Sequence, residues 1–367
     1  MKARFLTATM LGAAFVCVTA AAQAYDPNIK NARPMFVTLP NNHAQHGPTV
    51  PPPANLAQWS GSFTDLTGHH VTYVMAGASP STSNTTTTIP VYIIPIKMVY
   101  GSTNGNMTFD PVAHILSNGR NIVQNTTSSP LFTSDVNFTQ GGVNLGTTQY
   151  IDAFQRGNFW SSVSNNTSYH TLLGAPTVLT EQTINVSRSQ GKVMNNPFGT
   201  GKVGTMGINA FDAKLQTFMS GFAQINPSVL PLFITYDIYL TQGGCCIGGY
   251  HSANGANPSG QTYSYSTYVD SPGAFSQDVS AISHELGEWM DDPFTNNAVN
   301  CTDNNILEVG DPLEGNANYG SYHYTDNGFQ YNLQSLVFLG YFGAPRSTSV
   351  NSWLSFQNDE ANVCPGQ

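Results

Sequence analysis

Basic residues are scarce in this chain: twelve Lys and Arg stand against twenty-one Asp and Glu in 367 residues. No basic stripe exists to hold phosphates, which disfavours nucleic acid as a partner. Glutamate is scarcer still, with six copies at positions 181, 285, 288, 308, 314 and 360. Signatures of serine-nucleophile and phosphate chemistry are missing too. No Gly-x-Ser-x-Gly occurs, and the Gly-rich run from Gly243 to Gly249 holds no Lys-Ser/Thr pair. Beyond the first two dozen residues no apolar run reaches the roughly 18 residues a membrane helix needs. The lack of charge does not imply disorder, since 40% of residues are hydrophobic and a core is available to bury.

The amino terminus has the layout of an export signal. Lys2 and Arg4 precede an apolar run from about Phe5 to Ala21, and Ala22-Gln23-Ala24 supplies small residues for cleavage. The expectation is a secreted protein, extracellular or periplasmic, with a signal peptide at 1–24 and no membrane association after cleavage. Residues 25–60, rich in Pro, Asn and His, read as an extended arm. A single domain is expected over 61–367, acting as a monomer. Cys17 falls in the leader, leaving Cys245, Cys246, Cys301 and Cys364. In an oxidising compartment disulfides are expected. The adjacent pair is the most strained of the three pairings, so Cys245 and Cys246 are expected to be tied to Cys301 and Cys364.

Periodicity outlines the elements. Pro90–Tyr100 reads as a strand interrupted at Pro95 and therefore at an edge or bulge. Asp110–Leu116 reads as a short helix with Pro111 in its first turn, and Gln149–Ser162 as a second helix. Phe211–Phe222 repeats aromatics at helical spacing. Leu230–Leu240 is the strongest strand. Tyr263–Asp270 alternates aromatic and small polar residues, as a half-exposed strand should, and its edge could receive an extended peptide. His43, His46, His69 and His70 read as loop and strand-end residues.

The stretch that stands out runs from Asp278 to Pro293. Val279, Ile282, Leu286 and Met290 form an apolar stripe at helical spacing, with Ser276 or Asp278 as N-cap and Pro293 as the stop. His284 and Glu288 lie one turn apart and aim at a common point. Glu285 is rotated from His284 by about 100°. A His-Glu-x-x-Glu should arise from this composition only about 0.002 times. Four of the six Glu lie between 285 and 314. Solvation alone would spread acids over other helices, so a metal site is the sharper reading.

Downstream, Glu308 and Asp311 lie three apart within Asn305–Glu314. Glu308 follows Glu288 by 20 positions, where thermolysin-like zinc peptidases carry their third ligand; Asp291-Asp292 resembles the acidic turn that closes their helix. That resemblance covers about 30 residues and departs from the family at Glu288, where a histidine is usual. A wider one covers about residues 230–315. Cys245-Cys-Ile-Gly-Gly-Tyr-His251, Tyr265–Asp270, His284-Glu-Leu-Gly-Glu288, Asp292-Pro293 and Glu308-Val-Gly-Asp311 resemble, in order, the exordium-like, phosphate-induced secreted proteins. That similarity implies an extracellular protein in which Glu288 is the normal residue, and it draws His251 towards the site.

The expectation is an α+β, zincin-like domain: a mixed sheet packed on the site helix, with a second helical, loop-rich lobe and the metal region at about 230–330. His284, Glu288 and Glu308 are the metal ligands, with Asp311 able to replace Glu308. Glu285 is the general base. His251 or His323 supplies a fourth ligand or a hydrogen bond to a developing oxyanion, and Asp292 and Asp311 orient ligands. Zinc is the first choice of metal, with Mn²⁺ and Ca²⁺ favoured by the extra carboxylate. The expected activity is peptide hydrolysis, on an extended peptide or protein substrate. The alternative is a non-catalytic secreted protein with a structural ion, acting on cell-wall glycan.

Overall fold

The computed structural model describes residues 32–39, 55–64, 68–140, 143–255, 257–299, 306–311, 321–334, 336–338 and 354–355. The leader, His43, His46, Cys301 and Cys364 lie outside the described residues. Within them strands predominate and helices are few, an α+β arrangement.

A seven-stranded sheet carries the architecture. Its path runs Gln182–Val186, Val91–Tyr100, Leu230–Tyr236, Gln261–Tyr268, Gly249–Asn254, with Met107–Phe109 and Thr177–Val178 also pairing to Val91–Tyr100. The first three ladders of this path are parallel and the last is antiparallel. Both faces are covered, as parallel sheets require. Ile93, Leu232 and Ile234 face a core containing the helix Ser280–Asp291. Their neighbours Ile94 and Phe233 face a second core containing Ile208–Gly221. Each large apolar side chain fully buried here contributes about 1.5–3 kcal/mol. A four-stranded sheet, ordered Val193–Asn195, Lys202–Gly207, Ile238–Thr241, Cys245–Ile247, adjoins it.

Several expectations change. Pro95 lies in an interior strand, where the ladder changes partners: the register with Leu230–Tyr236 ends at Pro95 and that with Gln182–Val186 begins at Ile96. A residue without an N–H is tolerated at such a handover. Residues 111–113 form turns instead of a helix. Asp110 Oδ1 caps the start, accepting the amides of Val112 (3.0 Å) and Ala113 (2.7 Å). After one helical bond from His114 to the Asp110 carbonyl (3.0 Å) the chain turns, and Leu116 donates to the carbonyl of Arg120 (2.8 Å). The helix expected at 149–162 is two, Tyr150–Asn158 and Trp160–Val163, broken after Gly157-Asn158, both weak helix formers. It builds no separate lobe: Tyr150, Ile151 and Phe154 share one core with Leu286 and Trp289.

Leu230–Leu240 divides at Asp237, whose φ of 50° ends one strand and sends the next into the other sheet. The strand Gln261–Tyr268 is buried along its whole length, and neighbours occupy both its edges. The edge strand beside the site helix is Gly249–Asn254. The sulfurs of Cys245 and Cys246 lie against each other, while their expected partners, Cys301 and Cys364, lie outside the described residues.

Candidate metal centre

The helix Ser280–Asp291 buries all twelve of its residues, so the solvated-face reading of its acids fails. Neither expected N-cap serves as one. Ser276 and Asp278 have φ of 62° and 43° and form the turn before the helix, with Val279 at the N-cap position. Asp278 instead accepts the amide of Asn332 at 2.8 Å and a bond from its side-chain Nδ2. Ser283 Oγ accepts the amide of Gln334 at 2.7 Å. These contacts lock the helix to the strand Phe329–Gln334. At the other end Asp292 accepts the amides of Asn296 and Asn297, both at 3.0 Å. Asp291 accepts from Gln155 Nε2 at 2.8 Å.

Small residues let the helix approach the sheet. A Cβ on Gly249 would stand 2.6 Å from Glu285 Cγ, so only glycine fits opposite this glutamate. Ser264 and Ser266 are fully buried, and Ser266 Oγ donates to the carbonyl of Ala281 at 3.3 Å. On the adjacent edge strand His251 projects beneath the helix, with no exposure. Its Nδ1 lies 3.4 Å from Glu285 Oε2 and 3.9 Å from Glu288 Oε2. His284 Nε2 approaches the other oxygen, Glu288 Oε1, at 3.1 Å. Glu288 thus stands between two histidines, one on each carboxylate oxygen.

The third contribution comes from Glu308–Asp311. Gly310 donates its amide to Glu288 Oε1 at 3.1 Å. Asp311 Oδ1 lies 3.4 Å from His284 Nε2. Glu308 is buried, and its carboxylate falls in one group with His251 and Glu288, their ligand atoms all within 4.8 Å of one another. A second group of the same span joins His284, Glu285 and Glu288. Glu288 belongs to both.

The electrostatics follow from crowding acids in a dry space. Burial drives the Glu308 carboxyl well above the usual carboxylate range, and the charges of Glu288 and Asp311 add to this. Burial would raise Glu288 too, but His284 outweighs it and brings the carboxyl down to about 2. Burial acts downward on His284, yet Glu288, Asp311 and Glu285 hold its ring well above the ordinary value. Burial depresses His251 to about 4 against the pull of Glu288. His284 Nδ1 and Glu308 Oε2 are among the atoms buried here without a hydrogen-bond partner. Such atoms are costly unless something satisfies them. A divalent cation would take the place of the protons that now separate these groups.

Of the eight residues singled out from sequence, six fall in this cluster: His251, His284, Glu285, Glu288, Glu308 and Asp311. His323 is exposed on the strand Ser321–Asp326, paired with Asn332, and among the described residues no contact ties it to the cluster. Asp292 binds the turn that follows the helix, and its backbone lies against His251. Three contributors escape the sequence reading. Gly249 and Gly310 are legible only as glycines beside candidate ligands. Phe36, whose ring stacks on that of His284 at 3.6 Å between centroids, carries no local signal at all. No protein-family model matches the chain, and no curated protein or solved structure matches it either.

Proposed function

We propose that the chain is an exported, metal-dependent peptidase of zincin-like design. The cation would be held by His251 and His284 together with Glu288 and Glu308. The observation that carries this reading is the burial of both histidines and both glutamates around one carboxylate, Glu288. Two imidazoles restore the nitrogen that Glu288 removes from the usual zinc-peptidase helix, which supports zinc over calcium. A divalent cation there supplies Lewis acidity towards a scissile carbonyl. Glu285 faces the same space and is placed to take the proton of the attacking water. Its neighbour His251, 3.4 Å away, can share or return that proton. Gly310 and Asp311 orient Glu288 and His284 from behind. The ordered blocks that resemble the exordium-like proteins include every one of these residues, which supports that kinship within the same proposal.

A second reading has its own observation. His251, His284 and Glu285 have no exposure and Glu288 has 2%, and closed metal sites are the structural kind. One pair of variants of the mature protein separates the two. Metal analysis should find about one equivalent of zinc, lost in His284→Ala and kept in Glu285→Gln. Glu285→Gln should abolish cleavage of casein or a peptide library; a structural site leaves no cleavage to abolish. A protein that purifies metal-free and takes up no zinc, manganese or calcium refutes both.

A further inference from the structure

Residues 32–39 lie along the open side of Cys245–Ile247 and of Gly249–Asn254, the strand that carries His251, and they lie there as an extended peptide would. Arg33 donates its amide to the carbonyl of Cys245 (2.9 Å) and its own carbonyl accepts from Cys246 (2.6 Å). Met35 repeats the pattern, donating to Cys246 and accepting from Gly248, both at 2.9 Å. Met35 and Ile247 form a parallel bridge. Further on, Leu39 donates to the carbonyl of His251 at 3.4 Å and accepts from Ser252 Oγ at 2.8 Å. Nearly all of these bonds go from main chain to main chain, so they do not depend on the side chains of the segment.

Side chains of such a segment alternate. Met35, Val37 and Leu39 pack towards the core beneath the sheet. Phe36 turns the other way, onto the site. Its ring stacks on His284 at 20° and meets the edge of Phe275 at 5.0 Å. Phe36 is 6% exposed. The arm therefore covers a ring that belongs to the candidate metal centre, and it does so from the sheet edge next to the candidate base.

We propose that the edge from Cys245 to Ser252 is a peptide-binding groove, that residues 33–39 are its resident occupant, and that the arm is an internal competitor of substrate. The partner is an extended peptide bound parallel to this edge through its backbone, with an aromatic or large apolar side chain seated on His284. Peptide docking stands on the geometry of the arm alone; only the word substrate rests on the metallopeptidase reading above. A tethered segment competes at an effective concentration of order millimolar, so the groove of the intact chain is closed to dilute peptide until the arm is loosened.

The test uses the full mature chain with zinc, alongside two variants. Phe36→Ala removes the ring on His284. Met35→Pro removes the amide that bonds Cys246 and keeps the rest of the arm. The probe is a fluorescein-labelled peptide with the sequence of residues 32–39, followed by anisotropy, and the second readout is cleavage of a peptide library. At least one folded variant should bind the probe about tenfold or more tighter than the unaltered chain, since the tethered competitor is weakened. A probe with its Phe replaced by Ala should bind more weakly, and library cleavage should rise with probe affinity. If neither variant binds the probe better than the unaltered chain, the groove inference is overturned, even where cleavage dependent on Glu285 stands. If the probe binds as expected but no form cleaves the library, the groove stands and the peptidase reading falls.

Discussion

Gly310 stands so close to His284 that a Cβ at 310 would lie 2.2 Å from the imidazole Nδ1. The same residue donates its amide to Glu288 Oε1. One glycine therefore leaves space for one candidate ligand and fixes the rotation of the other. Gly310→Ala must push the His284 ring aside or move the backbone that holds Glu288. Overpacking of this kind costs about 1–3 kcal/mol, and disturbing a group that orients ligands costs about 10–100-fold in metal affinity. Thermal unfolding and a zinc titration of the variant check the two effects. Unchanged affinity would count against both His284 and Glu288 as ligands.

Glu288 and Glu308 present the opposite relationship, two buried acids that share a side-chain hydrogen bond. Glu308→Gln replaces a carboxyl that burial and the charge of Glu288 push well above the usual carboxylate range with an amide that can still donate to Glu288. The metal-free protein should lose little stability, because the amide keeps a donor for Glu288. With zinc at 100 times its dissociation constant the unaltered protein should gain about 2.7 kcal/mol, and the variant should gain far less. Melting curves with and without zinc decide the matter. Equal gains would remove Glu308 from the ligand set.

The parts of the site legible in the sequence are those set by local spacing. His284 and Glu288 share a helix face because they are one turn apart, and Glu308 to Asp311 announce themselves as acids in an apolar stretch. Tyr263–Tyr268 shows where this kind of reading stops. Its alternation is real, but it does not mean one wet face. Tyr263 and Tyr265 face the core under the helix Ile208–Gly221, where Tyr263 bonds Asp212. Ser264 and Ser266 face the site helix, and their small size sets how near it comes. A buried serine face and an exposed one look alike in sequence. Phe36 is the extreme case, because its partner is 248 positions away and nothing near it encodes the contact.

Asp237 explains why one strong apolar run became two strands. Its φ of 50° lies in the left-handed region, which Asp and Asn tolerate and β-branched residues do not. Its carboxylate also accepts the amide of Asp270 at 3.2 Å. Asp237→Asn should be nearly neutral. Asp237→Val, the residue that the strand pattern would welcome, should cost about 2–3 kcal/mol from strain and the lost bond. Urea denaturation of the two variants makes the comparison, and similar midpoints would contradict a conformational role for Asp237.

Asp278 ties the start of the site helix to Asn332, and burial pushes its carboxyl up to about 7, against the hydrogen bonds from Asn332 and Val279 that pull it down. The folded value lies above the unfolded one of 3.8, so the native state binds this proton more tightly. Its stabilising contribution is therefore full below about pH 4 and is lost as pH rises through about 7. The loss from this one group can reach about 4 kcal/mol. Asp278→Asn cannot ionise, keeps an acceptor for the amides of Asn332 and Val279, and can pair with a flipped Asn332 side chain. Melting temperatures measured from pH 5 to pH 8 should fall more steeply for the unaltered chain than for this variant. Parallel profiles would mean that Asp278 is ionised throughout the range, held charged by those hydrogen bonds, with the pH dependence arising elsewhere.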